Sequence, residues 1–166
     1  MSGVKAFVGL GANLGDPCRQ LLQALQALDA LPRTRLVARS SLYRSAPVDA
    51  AGPDFVNAVA QLDTELPAAE LLRALLALEA RFGRERSSLH APRTLDLDLL
   101  LYGDARIDEP QLQLPHPRLH RRAFVLAPLL EIAPGIEAPG LGPLAPWLEA
   151  ARAQAIQRID DRGQPI

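Results

Sequence analysis

Cysteine is nearly absent from this sequence, since Cys18 is the single one among 166 residues. An intramolecular disulfide and a metal site built from several thiolates are therefore excluded, and the chain suits a reducing compartment. A basic excess is also absent, because the formal net charge is −1, which weighs against a nucleic-acid-binding protein. We find no apolar run long enough to span a membrane and no signal peptide. We therefore expect a cytoplasmic protein.

The chain still has enough hydrophobic residues, 48 % of the total, to form one folded domain, which we place at 1–157. Apolar periodicity and turn residues predict strands at 6–10, 36–43, 55–62 and 94–102, helices at 17–31 and 67–83, and C-terminal helices at 124–132, with a break at Pro128, and at 147–157. We expect 158–166 to be a flexible tail. The order strand, helix, strand, strand, helix, strand predicts an α+β fold. This is a ferredoxin-like antiparallel sheet with helices packed on both faces, a three-layer α-β-α arrangement.

The run Arg-Thr-Leu-Asp-Leu-Asp-Leu-Leu-Leu at 93–101 is the strongest pattern in the sequence. Because side chains alternate between the faces of a strand, Asp96 and Asp98 are predicted to share one face. The opposite face is predicted to be apolar, with Leu95, Leu97, Leu99 and Leu101. Adjacent carboxylates repel each other, and Mg²⁺ prefers carboxylates together with phosphate oxygens. On spacing alone, two solvent-facing acids are the slightly better interpretation, but Arg93, Thr94 and the basic loop before them favour a metal–phosphate site.

Arginines are concentrated around this strand. Those before it are Arg84, Arg86 and Arg93, and those after it are Arg121 and Arg122. Guanidinium groups bind phosphate oxygens in a forked geometry and stabilise charge during phosphoryl transfer. Any one of them alone is best explained as a solvated loop residue, but several near one acidic strand favour phosphate binding. His116, held between two prolines, is a further candidate for a phosphate hydrogen bond, although a lone histidine is usually structural.

A glycine-rich segment and a few aromatic residues need separate interpretations. The glycines of 9–15 superficially suggest a dinucleotide-binding fingerprint, but the spacing is off by one residue and no acid ends the next strand. We interpret them as a tight turn into a helix. The chain has one Trp, two Tyr and four Phe, and each would ordinarily be a core residue. Alternatively, Phe55, Asn57 and Phe124 border a pocket together with the loop 45–53.

Four segments resemble, in order, the motifs of one enzyme family. Residues 9–16 resemble a Gly-Ser-Asn-Leu-Gly-Asp turn, residues 41–47 with 55–57 a pterin-binding segment, and residues 114–117 with 122–126 a last motif. Residues 92–98, Pro-Arg-Thr-Leu-Asp-Leu-Asp, match the most specific signature. These segments are similar to those of the 6-hydroxymethyl-7,8-dihydropterin pyrophosphokinases, whose fold is also ferredoxin-like.

The resemblance implies transfer of pyrophosphate from ATP to 6-hydroxymethyl-7,8-dihydropterin in folate biosynthesis, with release of AMP. It implies that two Mg²⁺ ions are held by Asp96 and Asp98. The residues implied in ATP binding are Glu79, Arg84, Arg86, Arg93, His116 and Arg122, and among them the catalytic contacts are Arg84 and Arg93. The residues implied in pterin binding are Phe55 and Phe124 on either side of the ring, Asn57 at its polar edge, and the backbone of Ser45 and Val48. We expect a monomer, and the sequence identifies no general base.

The sequence departs from the family pattern in two places. Two other functions also stay open. Leu89-His90-Ala91 stand where Arg-Trp-Gly is frequent, and Ser45-Ala46 stand where Thr-Pro is common. A metal-dependent phosphohydrolase would use the same two aspartates with a water-positioning group and no aromatic slot. A ferredoxin-like RNA-binding module would need basic and aromatic residues on the exposed sheet face, where this sequence places two acids instead.

Overall fold

Strands form the centre of the fold in a computed structural model that describes residues 3–47, 52–83 and 95–166. Within these residues the strands are β1 (Val4–Ala12), β2 (Thr34–Arg39), β3 (Leu42–Ser45), β4 (Phe55–Thr64), β5 (Asp96–Tyr102), β6 (Ile107–Glu109), β7 (Leu112–Leu114), β8 (Glu137–Ala138), β9 (Gly142–Pro143) and β10 (Ile156–Ile159). The helices are α1 (Pro17–Asp29), α2 (Ala68–Gly83), α3 (Ala123–Ile132) and α4 (Ala145–Ala150), with a 3-10 helix at Leu119–Arg121. None of the described helices is long and apolar enough to cross a membrane.

The main sheet is antiparallel and runs in the order β10–β3–β4–β1–β5, with β2 also paired to β4. Since β2 and β3 lie one after the other along β4, they together occupy one strand position, and the predicted ferredoxin-like fold is confirmed. The sequence predicted a single strand here. The interruption lies at Ser40, whose hydroxyl accepts the backbone N–H of Val59 at 2.9 Å where a strand would offer a carbonyl.

Apolar side chains cover both faces of the sheet, so that the molecule has the three predicted layers. On one face, α1 and α2 bury their leucines against Ala6, Val8 and Leu10 of β1. On the other face, α3 packs against Phe7 and Val59. The alternation along β1 separates these two cores, as expected for a strand buried on both sides.

Helix α3 is fixed to its face of the sheet by a hydrogen-bonded carboxylate. Glu131 accepts the hydroxyl of Tyr43 at 2.6 Å through Oε1, and the backbone N–H and hydroxyl of Ser41 at 2.9 and 3.0 Å through Oε2. Burial, and then Glu131, raise the pKa of Tyr43, so its hydroxyl stays a donor at neutral pH. Pro128 lies inside α3 without ending it, so the predicted break is wrong.

The prediction for one face of β5 fails at its C-terminal half. Leu97 and Leu99 pack in the core of α1 and α2 as predicted, whereas Leu101 packs with Leu100 and Phe7 in the core of α3. The cause is a bulge, because Phe7 pairs with Leu101 while Val8 pairs with Leu99. The extra residue between these pairs moves the side chains that follow to the other face.

The C-terminal helix prediction holds only for residues 147–150, which lie in α4. The segment predicted as a helix to 157 and a flexible tail from 158 forms α4, a loop, and then β10, which pairs with β3. Ile159 is 1 % exposed. The carboxylate of Asp160 accepts the backbone N–H groups of Arg162 and Gln164, both at 2.9 Å, and closes a turn beyond the strand. The short hairpins β6–β7 and β8–β9 were not predicted.

Candidate active site

A cleft of about 940 Å³ opens on the α3 side of the sheet. Its walls include most of the predicted site residues that the structure describes, namely Ser45, Phe55, Asn57, Asp96, Asp98, Arg122 and Phe124. A second, shallower hollow of about 500 Å³ lies beside β10 and includes Arg39, which is paired with Asp161 at 2.9 Å. None of the predicted site residues that the structure describes lines that hollow, so the larger cleft is the candidate active site.

Two glycines of β1 form the floor of the cleft. Gly11 pairs with Asp96 on one side and Asn57 on the other, and Gly9 pairs with Asp98. Two strand spacings therefore separate the acidic strand from Asn57, a distance of about 9.5 Å, with no side chain between them on this face. Gly11 was predicted to lie in a tight turn. It lies within β1, and the turn glycine with positive φ is Gly15, at 66°.

The two aspartates of β5 lie on one face, as predicted. Both line the cleft, with Asp96 exposed and Asp98 half-buried. Between them in the chain, the backbone N–H of Leu97 donates to Oε2 of Glu79 at 2.6 Å. Glu79, 8 % exposed, therefore holds the acidic stretch from α2. Glu79 is not among the described residues that form the cleft wall, so its predicted contact with the nucleotide stays a prediction.

His116 is held beside the acidic strand as a neutral hydrogen-bond donor. Its backbone N–H donates to the carbonyl of Leu100 at 2.9 Å, and its Nδ1 accepts the backbone N–H of Arg118 at 3.1 Å. Burial lowers the pKa of His116, Arg122 and Arg118 lower it further, and Asp98 opposes the shift without reversing it. Because Nδ1 is an acceptor, the neutral ring carries its proton on Nε2. His116 is not among the residues that line the cleft, so its predicted phosphate contact stays a prediction.

Arg122 lies against the aromatic wall of the cleft. Its guanidinium carbon is 5.5 Å from the centre of the Phe124 ring, a cation–π contact. Burial lowers the pKa of Arg122, whereas Asp98 raises it. The group keeps its charge at neutral pH because the pKa of a guanidinium lies so far above 7. Arg122 thus lies between the aromatic and acidic parts of the cleft.

The side chain of Ser45 orients Asn57. Asn57 is 4 % exposed, and its Nδ2 donates to the hydroxyl of Ser45 at 2.8 Å. A Cβ atom placed on Gly11 would lie 3.3 Å from Oδ1 of Asn57. The carbonyl oxygen of this side chain therefore faces the glycine floor. Only the backbone of Ser45 was predicted to belong to the site.

Several predicted residues cannot be placed. Val48, Arg84, Arg86 and Arg93 lie outside the described residues, as do Leu89 and His90. Their predicted roles stay predictions.

The structure also adds residues that the sequence analysis did not assign to the site. Gly9, Gly11, Arg118 and Gln154 line the cleft. The two glycines could have been found from the alternation of β1, since they share the face opposite to Val8 and Leu10. The local sequence gives no signal for Gln154, because its side-chain hydrogen bonds are with residues more than 30 positions away.

The family of the chain follows from comparison with known proteins. A family model described as 7,8-dihydro-6-hydroxymethylpterin-pyrophosphokinase, abbreviated HPPK, matches residues 7–134. The chain belongs to this family. A relative from Pseudomonas aeruginosa, named 2-amino-4-hydroxy-6-hydroxymethyldihydropteridine pyrophosphokinase, is 46 % identical over 156 residues, 93 % of this chain and 96 % of the relative. One of the same name from Haemophilus influenzae is 44 % identical over 137 residues, 82 % of this chain and 86 % of the relative.

Solved structures share the fold at low sequence identity. A structure described as HPPK-DHPS in complex with substrates superposes with a TM-score of 0.77 at 11 % identity and covers 100 % of this chain. One of Plasmodium falciparum HPPK-DHPS with pterin and p-hydroxybenzoate gives a TM-score of 0.76 at 13 % identity. This chain spans 48 % and 47 % of those two chains. The similarity supports the ferredoxin-like architecture of the HPPK part.

Proposed function

We propose that the cleft is the active site in which this chain transfers pyrophosphate from ATP to 6-hydroxymethyl-7,8-dihydropterin, giving the pterin diphosphate and AMP in folate biosynthesis. One observation carries the proposal. One cleft holds two carboxylates at one side and a buried amide with two aromatic rings at the other, and Arg122 lies between them. The first set suits a metal-bound triphosphate, and the second suits a flat heterocycle with a polar edge.

The pterin would lie over the glycine floor. Phe55 and Phe124 both line the cleft and would contact opposite faces of the ring. Stacking on aromatic side chains stabilises such a complex by about 0.5–1.5 kcal/mol beyond the buried area. Asn57 would pair with the polar edge of the ring through Oδ1, which faces Gly11. The backbone of Ser45 and Val48 would complete that edge.

The acidic side fits divalent cations, and we propose two Mg²⁺ ions. Asp96 and Asp98 offer hard oxygen donors on one strand face. Within the described residues, no group of three or more Asp, Glu, His or Cys could hold a metal by itself. This suits Mg²⁺, which uses one or two carboxylates and completes its shell with phosphate oxygens and water. Bound Mg²⁺ would neutralise phosphate charge and polarise the reacting phosphoryl group.

The reaction requires positioning more than covalent help from the protein. The hydroxymethyl oxygen attacks the β-phosphorus of ATP, the bond from this phosphorus to the oxygen bridging to the α-phosphate breaks, and AMP leaves with the electron pair. The hydroxyl proton is released, and we assign no general base. Arg122 would stabilise the developing charge, and Nε2–H of His116 would donate to a phosphate oxygen. Arg84, Arg86 and Arg93 are proposed to add phosphate contacts.

We also propose that the enzyme works as a single pyrophosphokinase domain and a monomer. A cytoplasmic location is proposed because ATP is abundant there and the single cysteine, Cys18, is buried and free.

Product analysis tests the proposal. The protein is incubated with ATP, Mg²⁺ and 6-hydroxymethyl-7,8-dihydropterin, and we expect AMP and the pterin diphosphate in equal amounts. ADP or inorganic phosphate as the product would contradict the proposal and favour a phosphohydrolase. Asp98→Ala should abolish the reaction in folded protein. Asp104→Ala is a matched control, because Asp104 is exposed in the turn at the other end of β5.

A further inference from the structure

The side chain of Gln154 connects the C-terminal loop to the cleft wall that carries Arg122. Gln154 lies between α4 and β10 and lines the cleft. Its Oε1 accepts the backbone N–H of Ala123 at 2.9 Å, and its Nε2 donates to the backbone carbonyl of Arg121 at 2.8 Å. A backbone N–H can only donate and a carbonyl can only accept, so both partners require this orientation of the amide. One amide therefore bridges the two residues that flank Arg122.

The backbone at Arg122 needs such a support. Arg122 has extended torsion angles, φ −121° and ψ 110°, between the 3-10 helix Leu119–Arg121 and α3. The side chain of Arg122 gives no capping hydrogen bond to α3, although it occupies the capping position. The first N–H groups of a helix have no partner inside the helix. Gln154 supplies one for Ala123 and holds the carbonyl on the other side of Arg122.

Two parts of the cleft depend on this junction. The guanidinium of Arg122 lies over the ring of Phe124, and Asp98 is close enough to raise its pKa. A rotation of the backbone at Arg122 would move the guanidinium relative to both. Gln154 itself is anchored, because β10 begins two residues later with Ile156 paired to Ser45.

We propose that Gln154 is a positioning residue for the pyrophosphate transfer. It fixes the backbone on both sides of Arg122, so that the guanidinium is aimed at the ATP phosphates before ATP binds. This inference rests on the proposed role of Arg122 in the proposed function. It assigns a role in the reaction to the C-terminal loop between α4 and β10.

Two substitutions of Gln154 and one control test the proposal. Gln154→Met keeps the length of the side chain and removes both hydrogen bonds, whereas Gln154→Glu keeps the acceptor and loses the donor. Because small displacements of a positioned group cost up to about a hundredfold in rate, we expect Gln154→Met to lower kcat/KM for ATP by about tenfold to a hundredfold and Gln154→Glu to lower it less. Gln157→Met, on the exposed side of β10 opposite Arg44, should leave kcat/KM unchanged.

A double-mutant cycle separates positioning from a general loss of structure. In the Arg122→Ala background, Gln154→Met should change kcat/KM and the affinity for a non-hydrolysable ATP analogue by less than about twofold, because residues that act through one another are not additive. An equal loss in both backgrounds would overturn the proposal, as would wild-type activity of Gln154→Met. If Gln154→Met does not fold, Gln154→Glu in the same cycle decides. Full activity of Arg122→Ala would instead refute the proposed role of Arg122.

Discussion

The glycine floor of the cleft gives the sharpest test of where the pterin binds. In Gly11→Ala the new methyl group would lie 3.3 Å from Oδ1 of Asn57, which is tighter than an ordinary contact. Asn57 cannot move away freely, because its amide nitrogen is bound to the hydroxyl of Ser45 at 2.8 Å. The substitution therefore displaces the oxygen that we propose to read the pterin edge. Gly11 lies in extended strand, so alanine meets no torsional strain.

The expected effects on stability and on binding differ. Replacing glycine by alanine at a compatible position stabilises a fold by about 0.4–1 kcal/mol through the unfolded chain, which offsets the crowding. We expect the free energy of unfolding to change by less than about 1 kcal/mol. Loss of one hydrogen bond to the pterin costs about 0.5–1.5 kcal/mol, and so pterin affinity should fall by roughly twofold to thirteenfold. ATP affinity should change less.

Titration calorimetry with pterin in the presence of a non-hydrolysable ATP analogue measures this effect, and thermal unfolding measures stability. Gly9→Ala is the comparison, because its methyl group meets only the side chain of Leu100 at 3.5 Å, an ordinary contact. Gly9→Ala gains the same stabilisation through the unfolded chain but does not crowd Asn57, so pterin affinity should fall less than in Gly11→Ala. Equal pterin affinity in Gly11→Ala and wild type, with stability preserved, would show that Oδ1 of Asn57 does not face the pterin.

Three further predictions concern Phe124, His116 and Leu89. Phe124→Ala should weaken pterin binding far more than ATP binding, since it removes a stack worth about 0.5–1.5 kcal/mol beyond its area; unchanged pterin affinity in a titration would exclude Phe124 from the slot. Because burial lowers the pKa of His116, the unfolded chain binds its proton more readily, and stability is lost as pH falls through about 6.5. Between pH 7 and pH 5 the free energy of unfolding, measured with denaturant, should fall more in wild type than in His116→Gln. Equal falls would contradict a lowered pKa of His116. Leu89→Arg, in the segment outside the described residues, should tighten binding of an ATP analogue by roughly 1.5–3 kcal/mol at best, and an unchanged salt dependence in calorimetry would show that this position does not face the phosphates.

The elements with strong local signals were predicted well. The helix α1 begins at Pro17, after Asp16, whose side chain accepts the backbone N–H of Arg19 at 3.2 Å. The helix α2 begins at Ala68, directly after Pro67, which was predicted to open it. Each signal is read from neighbouring residues, and tertiary packing does not oppose it. The same holds for the two aspartates of β5, whose common face follows from alternation alone.

Two of the failures, at the C-terminus and at Leu101, share one physical cause, which is pairing with distant strands. Residues 150–155 are rich in alanine and predict a helix, but the open edge of β3 is paired instead by the isoleucine-bounded β10. Leu101 changes face because Phe7 and Val8 impose a bulge across the sheet. Propensity is a weak prior, and tertiary contacts override it where an unpaired edge would otherwise remain.

The cleft combines two chemistries because β1, the strand between them, has no side chain on that face at Gly9 and Gly11. Asp96 on β5 and Asn57 on β4 are both paired with Gly11, one on each side. A larger residue there would fill the floor and separate the carboxylates from the amide. The residue types of the site could be predicted from the sequence, because charged and aromatic side chains indicate which kinds of ligand they bind. The space between them could not, because it depends on which strand lies between β4 and β5, and that is a property of the sheet order rather than of any segment.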